Sequence, residues 1–470
     1  MNVQTDLKRT RQLPLLLVLV FSLFVACMTA DMVNPVLHLI RKDFGASEAG
    51  AGWVVSGVLL VIAIGVPIYG RISDFFSIRK LYAFALLIFA AGSLVCAAAP
   101  TLPILVGGRM LQGAGSAAVP VLSVIAVSQV LPSGSRGAAL GLLAGSIGLG
   151  TAAGPIFGGL VGQIFGWPSL FWLTLALLLA LVPCALYVLP GGAGTGTPEE
   201  SRLDLPGGIL FGLAAGLFLF GVTQGQTEGF RSPASWGSLS GACLLTAAFI
   251  RRIFTAEHPF VPPALFADKS YSAAVWVGFF TMFAYVSSLV FVPLLVVEVN
   301  GLSPAAAGLV LLPGAAAVAV FSPAAGRLSD RIGVKIPVTA GLSLMGISLL
   351  FISTFAAGSS PLLAATGMLG LGLGVAFTNS PANNAAANTL GDEQVGAGLG
   401  IFQGALFLGA GTGASVIGAF LAARKEDAQG ALNPFYVLDA APYSDAFLAI
   451  AAAVVIALVF SAGLQSGRPK

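Results

Sequence analysis

Apolar stretches long enough to cross a lipid bilayer recur fourteen times along the chain, and no other feature constrains its fold as strongly. A transmembrane helix needs roughly 20 mostly apolar residues to cover the hydrocarbon core. Only 9% of the residues are charged, against about a quarter in soluble domains. The sequence therefore predicts an all-α polytopic membrane protein. The predicted spans are 13–39, 53–73, 81–99, 102–130, 136–165, 168–190, 205–224, 237–255, 271–297, 305–328, 336–356, 361–388, 394–422 and 445–465.

Several other classes of protein are disfavoured by the same composition. The four cysteines stand singly in apolar stretches, so they predict neither a disulfide framework nor a metal site. The net charge is only +3, without a basic cluster of the kind that binds nucleic acid. No cofactor is expected, and a membrane enzyme or receptor is a remote alternative, because no catalytic cluster of His, Cys or carboxylates can be found. The first apolar stretch is too long for a signal-peptide core and is expected to remain as a span.

The basic residues are distributed unequally between the two sides of the membrane. When the loops alternate, sixteen of the 22 Lys and Arg residues lie on the side of the two termini and five on the opposite side, with Arg109 inside a span. Cytoplasmic loops carry the excess of Lys and Arg. We therefore expect a multi-pass protein of a bacterial plasma membrane with both termini in the cytoplasm.

A charged loop motif occurs twice and divides the chain. Gly70-Arg-Ile-Ser-Asp74 returns as Gly326-Arg-Leu-Ser-Asp330, and each copy closes the second span of a six-span set. This predicts two six-helix bundles, at 1–190 and 263–470, separated by linkers and two additional spans at 191–262. Two related halves around a central site are the architecture of alternating-access transporters. A purely structural repeat is the alternative.

One carboxylate, that of Asp31, lies deep in the first span. An acid in a membrane is costly unless it is protonated or paired with a cation, which makes it a functional candidate. Pro35 cannot donate a hydrogen bond to the Asp31 carbonyl, so the helix is predicted to loosen at the acid. A polar position where a transmembrane helix is disrupted predicts an adjacent cavity.

Four groups of motif residues carry a specific resemblance. They are Gly70, Asp74 and Arg79; Asp330 and Arg331; Arg109, Gln112 and Gly113; and Gly150, Gly154, Pro155, Gly158 and Gly159. With these motifs the chain resembles the fourteen-span drug:proton antiporters of the major facilitator superfamily, and among them the Gram-positive-type tetracycline and multidrug efflux subgroup. The resemblance implies the major facilitator fold, a small drug-like substrate and protons as partners, and action as a monomer.

Each motif has a physical interpretation. Glycines at every fourth position from Gly150 form a smooth ridge for a neighbouring helix; the resemblance adds that this ridge seals a proton leak, and plain packing is the alternative. Arg109 and Gln112 share a helix face, which predicts a pore-facing cluster that tunes Asp31 or relays its proton. A snorkelling arginine is the alternative. Asp74 and Asp330, with their basic neighbours, resemble latches that close the cytoplasmic side.

The second half contributes only neutral polar groups within its spans. The candidate substrate cavity consists of Asn34, Phe283, Tyr285, Asn379, Asn383 and Gln403. Ala410 stands where the tetracycline subgroup has a glutamate, and Asp31 where it has a glutamate in the first span. One carboxylate can alternate between a proton and a single positive charge, whereas a metal-chelated tetracycline loses a ligand.

Together these observations predict a proton-coupled antiporter that exports amphiphilic, cationic drugs by alternating access. The alternatives within the same architecture are an exporter of an endogenous metabolite or metallophore and a proton-coupled importer. The fifth-span motif at Gly150–Gly159 argues against import.

Overall fold

The computed structural model describes residues 3–46, 48–191, 204–229, 232–257, 259–391, 394–426 and 430–465. Within these ranges the chain consists of α-helices, short 3₁₀ and π segments, and connecting loops. The helices are α1 (Val3–Asp31), α2 (Leu37–Phe44), α3 (Glu48–Ile72), α4 (Ile78–Ala97), α5 (Leu102–Ser116), α6 (Ala118–Val130), α7 (Ser133–Phe165), α8 (Pro168–Val188), α9 (Leu205–Glu228), α10 (Pro233–Thr255), α11 (Lys269–Glu298), α12 (Pro304–Ile332), α13 (Lys335–Phe351), α14 (Pro361–Thr389), α15 (Val395–Glu426) and α16 (Ala441–Ser461).

The predicted fourteen spans correspond to these helices. Thirteen helical segments of the described chain are long and apolar enough to cross a membrane, and α9 adds a shorter apolar segment, Pro206–Val222. The first span combines α1 and α2, and the fourth combines α5 and α6, which are separated only at Ala117. The span boundaries differ from the predicted ones by a few residues at most ends.

The predicted loosening of the first span is confirmed. Helix α1 ends at Asp31, and a 3₁₀ turn, Asn34–Val36, leads into α2. Pro35 lies in this turn, where its missing N–H is tolerated. The break leaves backbone carbonyls of α1 without helical partners, so they can accept other hydrogen bonds.

Two seams join the first half, α1–α8, to the second half, α11–α16. Helix α3 packs on α15, and α7 packs on α12. We call the side of the membrane that carries the Asp74 and Asp330 loops the terminal side, because the end of α16 lies there: the side chain of Lys335 donates to the Ala462 carbonyl. The other side is the opposite side.

The two additional helices form a hairpin. Helix α10 packs on α9, which in turn contacts both α3 and α15. Asp204 joins the hairpin at the terminal side, because it accepts hydrogen bonds from the Gly207 N–H (3.1 Å) and the Phe260 N–H (3.2 Å) and pairs with Arg252 (2.9 Å). The predicted linker 191–202 lies outside the described residues except for Gly191, while the second linker contains the 3₁₀ turn Pro263–Ala267.

Two of the five basic residues assigned to the opposite side, Arg424 and Lys425, form ion pairs. Arg424 forms a buried ion pair with Asp445 at 2.7 Å. Lys425 pairs with Glu298 at 2.6 Å, and Tyr443 also donates to Glu298. Neutralised in this way, these cations add little net positive charge to that side.

Candidate functional site

Asp31 lies where α1 breaks and where α7 presses against it. The α7 ridge, which we define as Gly150, Gly154, Gly158 and Gly162, packs along α1 and the following turn. A Cβ atom added at Gly154 would lie 2.7 Å from the Cβ of Asp31, and one at Gly158 would collide with the Met32 carbonyl. The backbone of α7 therefore touches the chain on both sides of Asp31, which only glycine permits.

The partly buried Asp31 carboxylate has polar and charged neighbours on several helices. Thr151, next to the ridge, donates a hydrogen bond to it, and the Arg109 guanidinium is close enough to interact with its charge. Tyr285 of α11 also lies within electrostatic reach. Asp31 thus lies in the first half, within electrostatic reach of a side chain of the second half. Thr151 was not predicted as a site residue, although it stands four residues before Pro155, whose missing N–H leaves the Thr151 carbonyl free.

Arg109 is completely buried inside the first half. Its guanidinium donates to the carbonyls of Val54 (2.9 Å) and Thr29 (3.2 Å) and to the side-chain oxygen of Gln112 (3.0 Å). Gln112 donates onward to Ser93 (2.7 Å). The snorkelling alternative is therefore wrong, and so is direct exposure to a pore in this conformation. A desolvated guanidinium needs its donors satisfied, and the carbonyls before the α1 break supply part of that need.

Arg109 and Asp31 are neighbours without a direct ion pair in the described chain. The carbonyls that Arg109 holds, those of Thr29 and Ala30, belong to the two residues immediately before Asp31. The arginine can thus act on the carboxylate through its charge and through the backbone that carries it.

The two repeated carboxylates reach across the seams. Asp330 accepts hydrogen bonds from the backbone N–H groups of Gly137 (3.0 Å) and Ala138 (3.1 Å) in α7 and from the Asn384 side chain (3.1 Å). Asp74 accepts one from the Ala397 N–H in α15 (3.2 Å). Each half therefore places one carboxylate near the start of a helix of the other half, where the helix dipole favours negative charge.

The remaining predicted gate residues lie in different surroundings. A Cβ at Gly70 would collide with the backbone of Gly400, so this glycine permits the close approach of α3 and α15. Arg79 donates to the Leu189 carbonyl (2.6 Å) at the end of α8 in its own half. Arg331 is exposed. Gly333, three residues after Asp330, has φ +87° at the end of α12, a backbone conformation that favours glycine.

The candidate cavity residues lie on several helices of both halves. Asn383 donates to the side-chain oxygen of Asn379 (3.1 Å), while Gln403 and Phe283 are buried on α15 and α11. Asn34 is exposed in the turn after Asp31. Their role in substrate binding stays a prediction.

Helices α7 and α15 share an arrangement of glycines that was not predicted from the sequence. In α7, Gly137, Gly141 and Gly145 face α12, and the ridge from Gly150 onward faces α1. In α15, Gly396, Gly400 and Gly404 contact α3, whereas Gly409 and Gly413 contact α11. The same spacing separates the two glycine sets in each helix. Each helix therefore touches the other half near the terminal side and its own half farther along.

The Asp74 contact is expected to depend on pH. Burial raises the pKa of Asp74 to about 6, although the adjacent Arg71 opposes this shift. A raised pKa means that the closed contact favours the protonated carboxyl. Its stabilisation is complete below the ordinary carboxyl pKa and is lost as the pH rises through about 6.

Hydrogen exchange of the first amides of α15 measures this dependence. After correction for intrinsic rates, we expect stronger protection below about pH 6 than above it, and an Asp74→Asn variant should show no such change. An equal pH dependence in that variant would contradict the assignment to Asp74.

Within the described chain, thirteen helices long enough to cross a membrane, one shorter apolar helix and paired contacts across two seams are typical of a membrane transporter. The sequence matches the Major Facilitator Superfamily over residues 19–414 and again over 274–468. The chain therefore belongs to this superfamily.

Similar proteins include several named for drug resistance. The chain is 32% identical to the multidrug resistance protein Stp of Mycobacterium tuberculosis over 86% of this chain and 74% of that protein. It is 28% identical to the tetracenomycin C resistance and export protein of Streptomyces glaucescens, covering 89% and 78%. The proton:xylose symporter XylE superposes with a TM-score of 0.67 at 15% identity, covering 98% of each chain, which shows the shared fold.

Proposed function

We propose that the protein is a proton-coupled antiporter that exports amphiphilic, cationic drugs. The observation that carries this proposal is the position of Asp31: a carboxylate in a broken helix, touched by α7 of its own half and close to Tyr285 of the other. A carboxylate there can hold either a proton or one positive substrate charge. The resistance and export names of similar proteins support a drug-like substrate.

The cycle follows from the competition of two ligands for one group. Facing the outside, Asp31 takes up a proton and releases the substrate; facing the cytoplasm, the deprotonated carboxylate binds the next cation. The two fluxes are coupled because each ligand excludes the other. Arg109 favours the ionised carboxylate through its charge, and Thr151 can donate to the carboxylate or accept from the carboxylic acid.

In this proposal, the contacts of Asp74 and Asp330 across the seams determine which side of the membrane is closed. With Asp74 and Asp330 in contact across both seams, the terminal side is closed. We place that side in the cytoplasm on the basis of the charge bias, so the structure corresponds to a state closed towards the cytoplasm. The protein acts as a monomer in the bacterial plasma membrane, and its seams open by rocking of the halves.

Everted membrane vesicles test the coupling. With an imposed gradient, acid inside, vesicles that contain the protein should accumulate ethidium, tetraphenylphosphonium or both, and collapse of the gradient by a protonophore should release them. Vesicles from cells without the protein provide the control. Accumulation that persists after the gradient has collapsed contradicts the proposal.

A further inference from the structure

One face of α9 lies along α3 of the first half. A Cβ at Gly212 or Gly216 would lie 3.0 Å from the Ile64 side chain, so these two glycines make room for Ile64 on the surface of α9. Farther towards the opposite side, Phe220 stacks on Trp53, with 5.7 Å between ring centroids. From Ile64 to Trp53 the contact extends for about 16 Å along α3, at 1.5 Å per residue.

The other face of α9 lies on α15 of the second half. A Cβ at Gly411 would lie 2.7 Å from a methyl carbon of Leu219. Leu219 and Phe220 are adjacent in sequence, yet they touch different halves. Helix α10 covers α9 from outside and exposes the large apolar side chains of Trp236, Leu244 and Phe254, as expected for a lipid-facing helix.

This position complements the direct contacts of the same seam. Helices α3 and α15 touch at Gly70 with Gly400 and at Pro67 with Gly404, all near the terminal side. Helix α9 also contacts both helices farther towards the opposite side, at Trp53 of α3 and at Gly411 of α15. The other seam differs. In α7, Gly148 still faces Val318 of α12, but the ridge beyond it packs on α1. Within the described chain, neither α9 nor α10 packs on this part of the α7–α12 seam.

We propose that the α9–α10 hairpin is a built-in lateral seal of the α3–α15 seam, which moves with the first half and slides over α15. The contact with α3 packs two glycines of α9 around the Ile64 side chain and includes the ring stack of Phe220 on Trp53. At the same level, the contact with α15 places Leu219 against Gly411, which has no side chain to interlock with it. Exchange of amphiphilic molecules with the bilayer is thereby confined to the α7–α12 seam. The inference rests on the proposed alternating access.

Two cysteine pairs test which contact moves. In a variant whose four native cysteines are replaced by serine, one pair is Trp53→Cys with Phe220→Cys and the other is Leu219→Cys with Gly411→Cys. Oxidation of the first pair should leave the initial rate of ethidium transport unchanged. Oxidation of the second pair should abolish transport, and a reductant should restore it, which shows that the variant is folded. Equal inhibition by both disulfide bonds, or unchanged transport with the second disulfide bond, would overturn the proposal.

A readout without substrate separates this inference from the proposed function. Ser322 is 1% exposed, and its carbonyl contacts Gly141 at the α7–α12 seam. A Ser322→Cys substitution should be labelled by an impermeant maleimide from the terminal side only while that side opens. The second bond should abolish this labelling and the first should not. If ethidium is not transported but the labelling responds in this way, the proposed substrate fails and the seal stands; labelling that persists with the second bond overturns the seal.

Discussion

An Asp31→Asn variant is expected to fold normally and to lose proton-driven efflux completely. Asparagine has almost the same shape as aspartate and can still accept the hydrogen bond from Thr151, but it binds neither a proton nor a cation by charge. The two ligands then have no shared group for which to compete. The initial rate of ethidium accumulation in everted vesicles, normalised to the amount of protein, measures this loss.

Two matched variants control for the Asp31 substitution. Asp31→Glu keeps a titratable group and should keep coupled transport. Asp43→Asn removes a carboxylate at the opposite side of the same span, where Asp43 accepts a hydrogen bond from Trp167 (2.8 Å), and it should transport at the wild-type rate. An Asp31→Asn protein that still concentrates ethidium against its gradient is incompatible with the account.

Gly158→Ala is expected to destabilise the protein and to impair coupling. The added methyl group would collide with the Met32 carbonyl, which is backbone and cannot rotate away. Helix α7 must then move away from the α1 break, and overpacking of this kind costs about 1–3 kcal/mol. A lower unfolding temperature in detergent and a reduced rate of proton-driven transport measure the two effects.

The adjacent glycine provides the control. A Cβ at Gly159 would have no atom within 4 Å, so Gly159→Ala should leave transport unchanged and can stabilise the helix by up to about 1 kcal/mol. The sequence motif treats both glycines as packing residues, but only Gly158 belongs to the ridge. Equal losses in the two variants would show that the close contact with Met32 is not the cause.

The positions of the spans and the break at Asp31 could be predicted because they depend on local properties. Hydropathy over a window of bilayer thickness locates a helix whatever its neighbours are. A proline that cannot donate to a carbonyl four residues earlier removes one helical hydrogen bond and weakens the helix at that point. Both effects can be inferred from Asp31, Pro35 and the apolar residues around them.

The tertiary contacts could not be predicted in the same way. The sequence indicates that Arg109 is a pore-facing or snorkelling cation, but not that the carbonyls of Val54 and Thr29 accept its hydrogen bonds. Whether a glycine faces a helix or open space depends on its rotation about the helix axis, which is why Gly158 and Gly159 differ. The contacts of α9 with both α3 and α15 depend on how the halves assemble.

Proton release on substrate binding tests the central claim most directly. Purified protein in a weakly buffered detergent solution, at a pH where Asp31 is protonated, should release protons when ethidium binds, because the cation displaces the proton from the carboxylate. The Asp31→Asn variant should release none. Equal release by the variant, or binding of ethidium to the wild-type protein without proton release at any pH at which it binds, would contradict the claim that one carboxylate serves both ligands.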